Sequence, residues 1–112
     1  MAYNEELAFR IRETLKLFPE KFTEKKMFGV LSFLYQGKMT VGIIQGELIV
    51  RVISDKMEMI LENPKTRPMD FTNRPMKEFV FVSEEAFKAE EELLPWIELG
   101  LEHAKDKIRN SK

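Results

Sequence analysis

Apolar residues Leu7, Ile11, Leu15 and Phe18 recur at spacings of four, four and three along the first stretch of the chain. That stripe predicts an amphipathic helix over 4–18. Asn4 suits its N-cap, Glu5 and Glu6 suit the positive end of its dipole, and Pro19 ends it. Residues 20–26 read as a charged connector. The pattern then changes. Residues 27–35, 39–44 and 48–53 are dense in β-branched and other apolar side chains, and the turns between them contain Gly37 and Gly46. Three such runs with short glycine turns predict an antiparallel meander. Gly29 and Gly42 fall inside the predicted strands, where glycine marks a bulge or a close backbone approach. Ser54 reads as the cap of a short helix to about Glu62. Met57, Ile60 and Leu61 supply its apolar side, and Asn63-Pro64 stops it.

The next stretch, Arg67-Pro68-Met69-Asp70-Phe71-Thr72-Asn73-Arg74-Pro75-Met76-Lys77-Glu78-Phe79-Val80-Phe81-Val82, contains Arg-Pro-Met twice. Each proline pushes the residue before it towards extended geometry, and Thr72-Asn73-Arg74-Pro75 has turn chemistry. The expected structure is a short strand over 69–71, a turn, and a long strand over 76–82. The prolines place one side of this hairpin at a sheet edge. Phe79 and Phe81 point to one face, Val80 and Val82 to the other. Ser83, followed by Glu84 and Glu85, caps a further helical segment. Pro95 predicts a break or kink within 89–95. The last helix runs through Trp96, Ile97, Leu99, Leu101 and Ala104 to about Ile108, with Lys105, Lys107 and Arg109 at its negative end.

The predicted order is helix, three strands, helix, two strands, C-terminal helices: an α+β domain built on one curved antiparallel sheet flanked by helices. Leu48, Val50 and Val52 face one way on the third strand, and Ile49, Arg51 and Ile53 the other. A sheet with one wet face would alternate more cleanly. Helices on both faces, or a second copy of the chain on one of them, would account for the pattern, and a homodimer is the expectation. Arg51 stands between two isoleucines, where a charge is costly unless paired. Asp70 is its expected partner. The alternative is that Arg51 reaches water along an edge, its stem covering apolar surface.

Composition narrows the functions. The 112 residues, 44% of them hydrophobic, read as a single domain over 1–112. The 18 basic and 19 acidic side chains nearly cancel, so no global charge calls for nucleic acid or an anionic membrane. There is no cysteine, which excludes disulfides, thiolate metal sites and a cysteine nucleophile and fits a reducing cytoplasm. No segment approaches the roughly 20 apolar residues of a membrane span, and the polar N-terminus has no signal-peptide pattern. His103 is the only histidine. On an amphipathic helix it reads as a surface or packing residue rather than a base. Glu90, Glu91 and Glu92 are consecutive and splay around a helix, and the seven methionines and Trp96 read as core or interface filling. No catalytic, metal-binding or cofactor-binding constellation is expected.

Residues 26–33, Gly37-Lys38-Met39, residues 48–52 and above all the paired Arg-Pro-Met segment over 67–77 resemble the N-terminal domain of the TfoX/Sxy family. Trp96-Ile97 with Leu101 and Ala104 is similar too. Asn73 stands where the family usually has glycine. The resemblance implies the α+β fold described, a prokaryotic cytoplasmic protein and, by its best-known members, a regulator of natural competence acting with transcription machinery. It reads as a single-domain member without the helical second domain. The motif positions Phe28, Gly29, Arg51, Arg67, Pro68, Met69, Asp70, Phe71, Arg74, Pro75, Met76 and Lys77 carry over as structural or interaction residues. The expected function is a non-enzymatic protein-interaction module. Nucleic-acid binding through Arg67, Arg74 and Lys77, or a small-ligand site around Arg51 and Asp70, are the alternatives.

Overall fold

The computed structural model describes residues 4–27, 29–71 and 74–109, apart from the side chains of residues 27, 69–71, 74–77 and 90. Helix α1 spans Glu5–Leu15, and the Asn4 side chain accepts from Leu7 N at 3.1 Å as expected of its cap. The helix stops three residues short of the predicted end, where Leu17 and Phe18 turn back onto Thr14 and Leu15 with tighter backbone bonds.

A four-stranded meander follows: β1 (Phe22–Met27), β2 (Val30–Tyr35), β3 (Lys38–Ile44) and β4 (Glu47–Arg51). β1 corrects the expected charged connector. It is an edge strand, so Glu24, Lys25 and Lys26 can remain wet while the backbone pairs with β2. Gly29 accordingly lies in the turn between β1 and β2, with φ 78°, rather than inside a strand. Gly42 does lie inside β3, where a Cβ would meet Met39 Cε at 2.8 Å and Leu31 O at 3.1 Å.

Helix α2 (Ser54–Leu61) leads to the hairpin β5 (Thr66–Phe71) and β6 (Arg74–Val82). The N-cap of α2 is Ile53 with no side-chain bond, not Ser54; the Ser54 hydroxyl is engaged elsewhere. The six strands form one open antiparallel sheet in the order β1-β2-β3-β4-β6-β5. β5, which carries Pro68, is the second edge, as the prolines of the hairpin predicted. Pro75 lies in the part of β6 that precedes its pairing with β4, which covers Phe79 to Val82.

Ser83 caps a single 3-10 turn, Glu84–Phe87, as expected. The chain breaks at Lys88 and Ala89 and then runs as one helix, α3 (Glu90–Arg109), without interruption at Pro95. The break therefore precedes the proline, which loses only one backbone bond near the start of the helix.

One large core joins α1, α3 and the sheet face carrying Leu31, Phe33, Val41, Ile43, Leu48, Val50, Val80 and Val82. Met57, Ile60 and Leu61 of α2 pack against this same core. The helix-to-sheet contact is close at Gly100, where a Cβ would stand 2.2 Å from Thr40 O. Ile49 and Phe81, with Val30, Met39, Ile44 and Phe79, form a second and separate cluster on the opposite face. The sheet is thus apolar on both faces, as its pattern implied, but among the described residues all three α-helices pack on one.

Candidate functional site

Four elements meet where β4 ends: the last residue of β4, the first residue of α2, the middle of β6 and the C-terminal half of α3. Glu78 is the hub. Its backbone is left-handed, φ 68°, in the middle of a strand. A non-glycine residue pays for that conformation and keeps it only where its surroundings over-determine it. Here the Val52 N–H donates to Glu78 O at 3.0 Å. Ser54 Oγ donates to Glu78 Oε2 at 2.7 Å, and His103 Nε2 lies 2.9 Å from Oε1. Lys107 Nζ is 3.3 Å from Oε1, and an Arg51 terminal nitrogen is 3.6 Å from it. These bonds, His103 first and Ser54 next, hold the Glu78 carboxyl far below its ordinary range, at about 2.

His103 is 2% exposed. Burial pushes its imidazole below the ordinary value, the Glu78 bond opposes that, and the charges of Arg51 and Lys107 add to the lowering. Burial likewise lowers the Arg51 guanidinium, against the pull of Glu78. Arg51 also spans to the other face of the sheet, its guanidinium carbon 4.1 Å over the Phe79 ring. Arg51 is therefore a paired charge, as its position between isoleucines predicted. The carboxylate recorded beside it is Glu78.

The cluster contains a hydroxyl, an imidazole and a carboxylate, but in the wrong order for nucleophilic catalysis. Ser54 and His103 both bond the carboxylate rather than one another. The imidazole is not placed to take the serine proton, and a carboxyl that ionises near 2 is a weak base. The arrangement can hold charge and fix geometry.

The helix-free face supplies the second part of the site. Arg67 on β5 sits with its guanidinium carbon 4.2 Å over the Phe81 ring and bonds Glu47 on β4. Two arginines thus cover the two phenylalanines that alternate along β6. Arg67 and Phe81 are register partners, as are Arg51 and Phe79.

Among the motif positions, Arg51 and Arg67 come together on this face. Gly29 lies at the β1–β2 turn, and exposed Pro68 pairs in register with Val80. Met69, Asp70 and Phe71 complete the β5 backbone, and Arg74, Pro75, Met76 and Lys77 begin that of β6. Their side chains, Phe28 and the Thr72-Asn73 turn lie outside the described residues, and the expected Arg51–Asp70 pair lies there too. Glu78 and His103 are the residues that sequence reasoning missed. His103 is ten residues after Leu93 and seven after Trp96, on the buried stripe of α3, and that spacing could have placed it inside.

A cleft of about 450 Å³ lies away from this cluster, between Phe18, Glu98, Leu101 and Arg109. Lys105 crosses it to Glu20 at 2.5 Å and holds that carboxyl below its usual range. Among the described residues no group of three or more His, Cys, Asp or Glu side chains is placed to hold a metal ion. Among the same residues no helix is long and apolar enough to cross a membrane.

Fold and site together define an α+β domain with an open six-stranded sheet, helices on one face among the described residues and an ionic hub centred on Glu78 at one end. The chain belongs to the TfoX N-terminal domain family, which matches residues 4–104. No curated protein and no solved structure matches it.

Proposed function

We propose that the chain is a non-enzymatic protein-interaction module whose docking surface is the helix-free face of the sheet, with transcription machinery as the partner class. The observation that carries this reading is the second apolar cluster. Val30, Met39, Ile44 and Phe79 are only partly buried around Ile49 and Phe81, and no described helix packs over them. An apolar patch rimmed by charge, here Arg51, Arg67 and Glu47, is the usual anatomy of a protein contact. The resemblance of the paired Arg-Pro-Met segment supports the partner class, with a regulatory role in transcription or competence as its widest form. The ionic hub, in which the serine and the imidazole both bond the carboxylate rather than one another, favours an interaction role over chemistry.

The test is a pull-down from host lysate at moderate salt, with nuclease, comparing the wild type with Ile44→Lys. Ile44 is half-buried and lies on this face. A transcription protein retained by the wild type and lost by a normally folded Ile44→Lys supports the reading. Capture that ignores the substitution, or that disappears with nuclease, overturns it. Sedimentation of the two proteins covers the homodimer: self-association lost in Ile44→Lys assigns the face to a second copy.

A further inference from the structure

His103 carries a geometric conflict. Its Nε2 lies 2.9 Å from Glu78 Oε1 and 3.1 Å from an Arg51 terminal nitrogen. One ring nitrogen cannot serve both neighbours. It donates to the carboxylate only when it bears a proton, and it accepts from the guanidinium only when it does not. The other ring nitrogen, Nδ1, is buried without a partner among the described residues, and so is Arg51 Nε. Each neutral tautomer of the imidazole therefore leaves one of the two contacts mismatched.

Uptake of one proton removes the choice. The imidazolium has no lone pair at Nε2, so Arg51 loses its acceptor and meets a like charge at 3.1 Å. Glu78 meanwhile gains a charge-assisted bond. Glu78 is the fixed member, pinned by its strained backbone, by Ser54 from α2 and by Lys107 from α3. Arg51 is the movable one. Its side chain is 22% exposed, and its head group already lies over Phe79 on the helix-free face.

We propose that Arg51, Glu78 and His103 form a proton-operated latch. Neutral His103 retains the Arg51 head group beside Glu78; protonated His103 takes Glu78 for itself and frees Arg51 to slide outwards across the Phe79 ring it already covers. The charged groups that act on the imidazole are Glu78 from β6, Arg51 from β4 and Lys107 from its own helix. Glu78 is the one carboxylate of the three, so the added positive charge is relieved by moving Arg51 outwards. The latch is a local arrangement and stands whether or not the helix-free face docks a protein.

The experiment is an NMR titration of the full chain from pH 8 to pH 5. His103 is the single histidine, so its ring carbon signal reports without overlap. The expected result is that the Arg51 Nε–H and Phe79 ring signals shift with the same midpoint as His103 while the dispersed amide spectrum persists. In Arg51→Gln the His103 midpoint rises and the Phe79 response disappears. Arg51 and Phe79 signals that stay still through the His103 midpoint would overturn the latch. Loss of the amide dispersion at that midpoint would overturn it too, since protonation would then merely unfold the chain. If Arg51→Gln does not fold, the wild-type titration alone decides.

Discussion

The imidazole of His103 and the carboxylate of Glu78 stand 2.9 Å apart across the junction of α3 and β6. The contact ties a helix to a strand at the point where the strand leaves regular geometry. Removing the carboxylate leaves Arg51, Lys107 and Ser54 facing an empty position. Glu78→Ala is expected to cost about 2–4 kcal/mol in chemical denaturation. Glu78→Gly loses the same bonds but relieves the left-handed backbone, which costs a side-chain-bearing residue roughly 1 kcal/mol or more. The glycine variant is expected to be the more stable of the two, and equal midpoints would show that the φ of 68° carries no strain.

Acid is expected to destabilise the fold in two stages of the same sign. His103 titrates lower in the folded chain than its ordinary 6.5. Below pH 6.5 the unfolded chain takes up a proton that the folded one refuses, so stability falls with pH. Glu78 ionises at about 2 when folded, against 4.5 ordinarily. Its contribution is complete above pH 4.5 and is lost as pH falls through the folded value. Denaturation midpoints between pH 8 and pH 2 measure both stages. His103→Gln should flatten the upper stage and leave the lower one.

Gly100 is where α3 touches the sheet backbone. A methyl group there would stand 2.2 Å from Thr40 O and 2.6 Å from its carbonyl carbon, so backbone rather than a flexible side chain would have to give way. Gly100→Ala is expected to cost at least about 2 kcal/mol despite the better helix propensity of alanine. Gly46→Ala, with nothing within 4 Å of its added carbon, serves as the control and should shift the thermal midpoint little.

Arg67 makes both an ion pair with Glu47 and a stack on Phe81, yet the side chains of the pair are 54% and 37% exposed. Exposed pairs contribute little. Arg67→Ala is therefore expected to cost less than about 1 kcal/mol, and a double-mutant cycle with Glu47→Ala should return a coupling of only a few tenths.

Much of the fold was legible because the strands obey simple alternation and the turns have glycines. The two-faced sheet, the edge position of Pro68 and the pairing of Arg51 with a carboxylate follow from residue type and spacing; the choice of carboxylate does not, since the spacing points to Asp70 and Glu78 stands 3.6 Å from Arg51. β1 was not legible: an edge strand needs little apolar content, so Glu24, Lys25 and Lys26 resemble a connector. Glu78 was hidden for a different reason. Its left-handed backbone takes it out of the alternation that places Phe79 and Phe81, and nothing in the local residues announces that. Gly100 could have been read, because a glycine in the middle of a helix is costly unless something approaches it closely.

The two borders of the sheet limit how this domain can assemble. β1 presents Glu24, Lys25 and Lys26 along its free side, and β5 carries Pro68, which has no N–H to offer. A neighbouring chain cannot readily extend the ladder from either border. Growth into cross-β fibres from either border is thereby discouraged, which leaves the broad faces of the sheet as the surfaces open to contact.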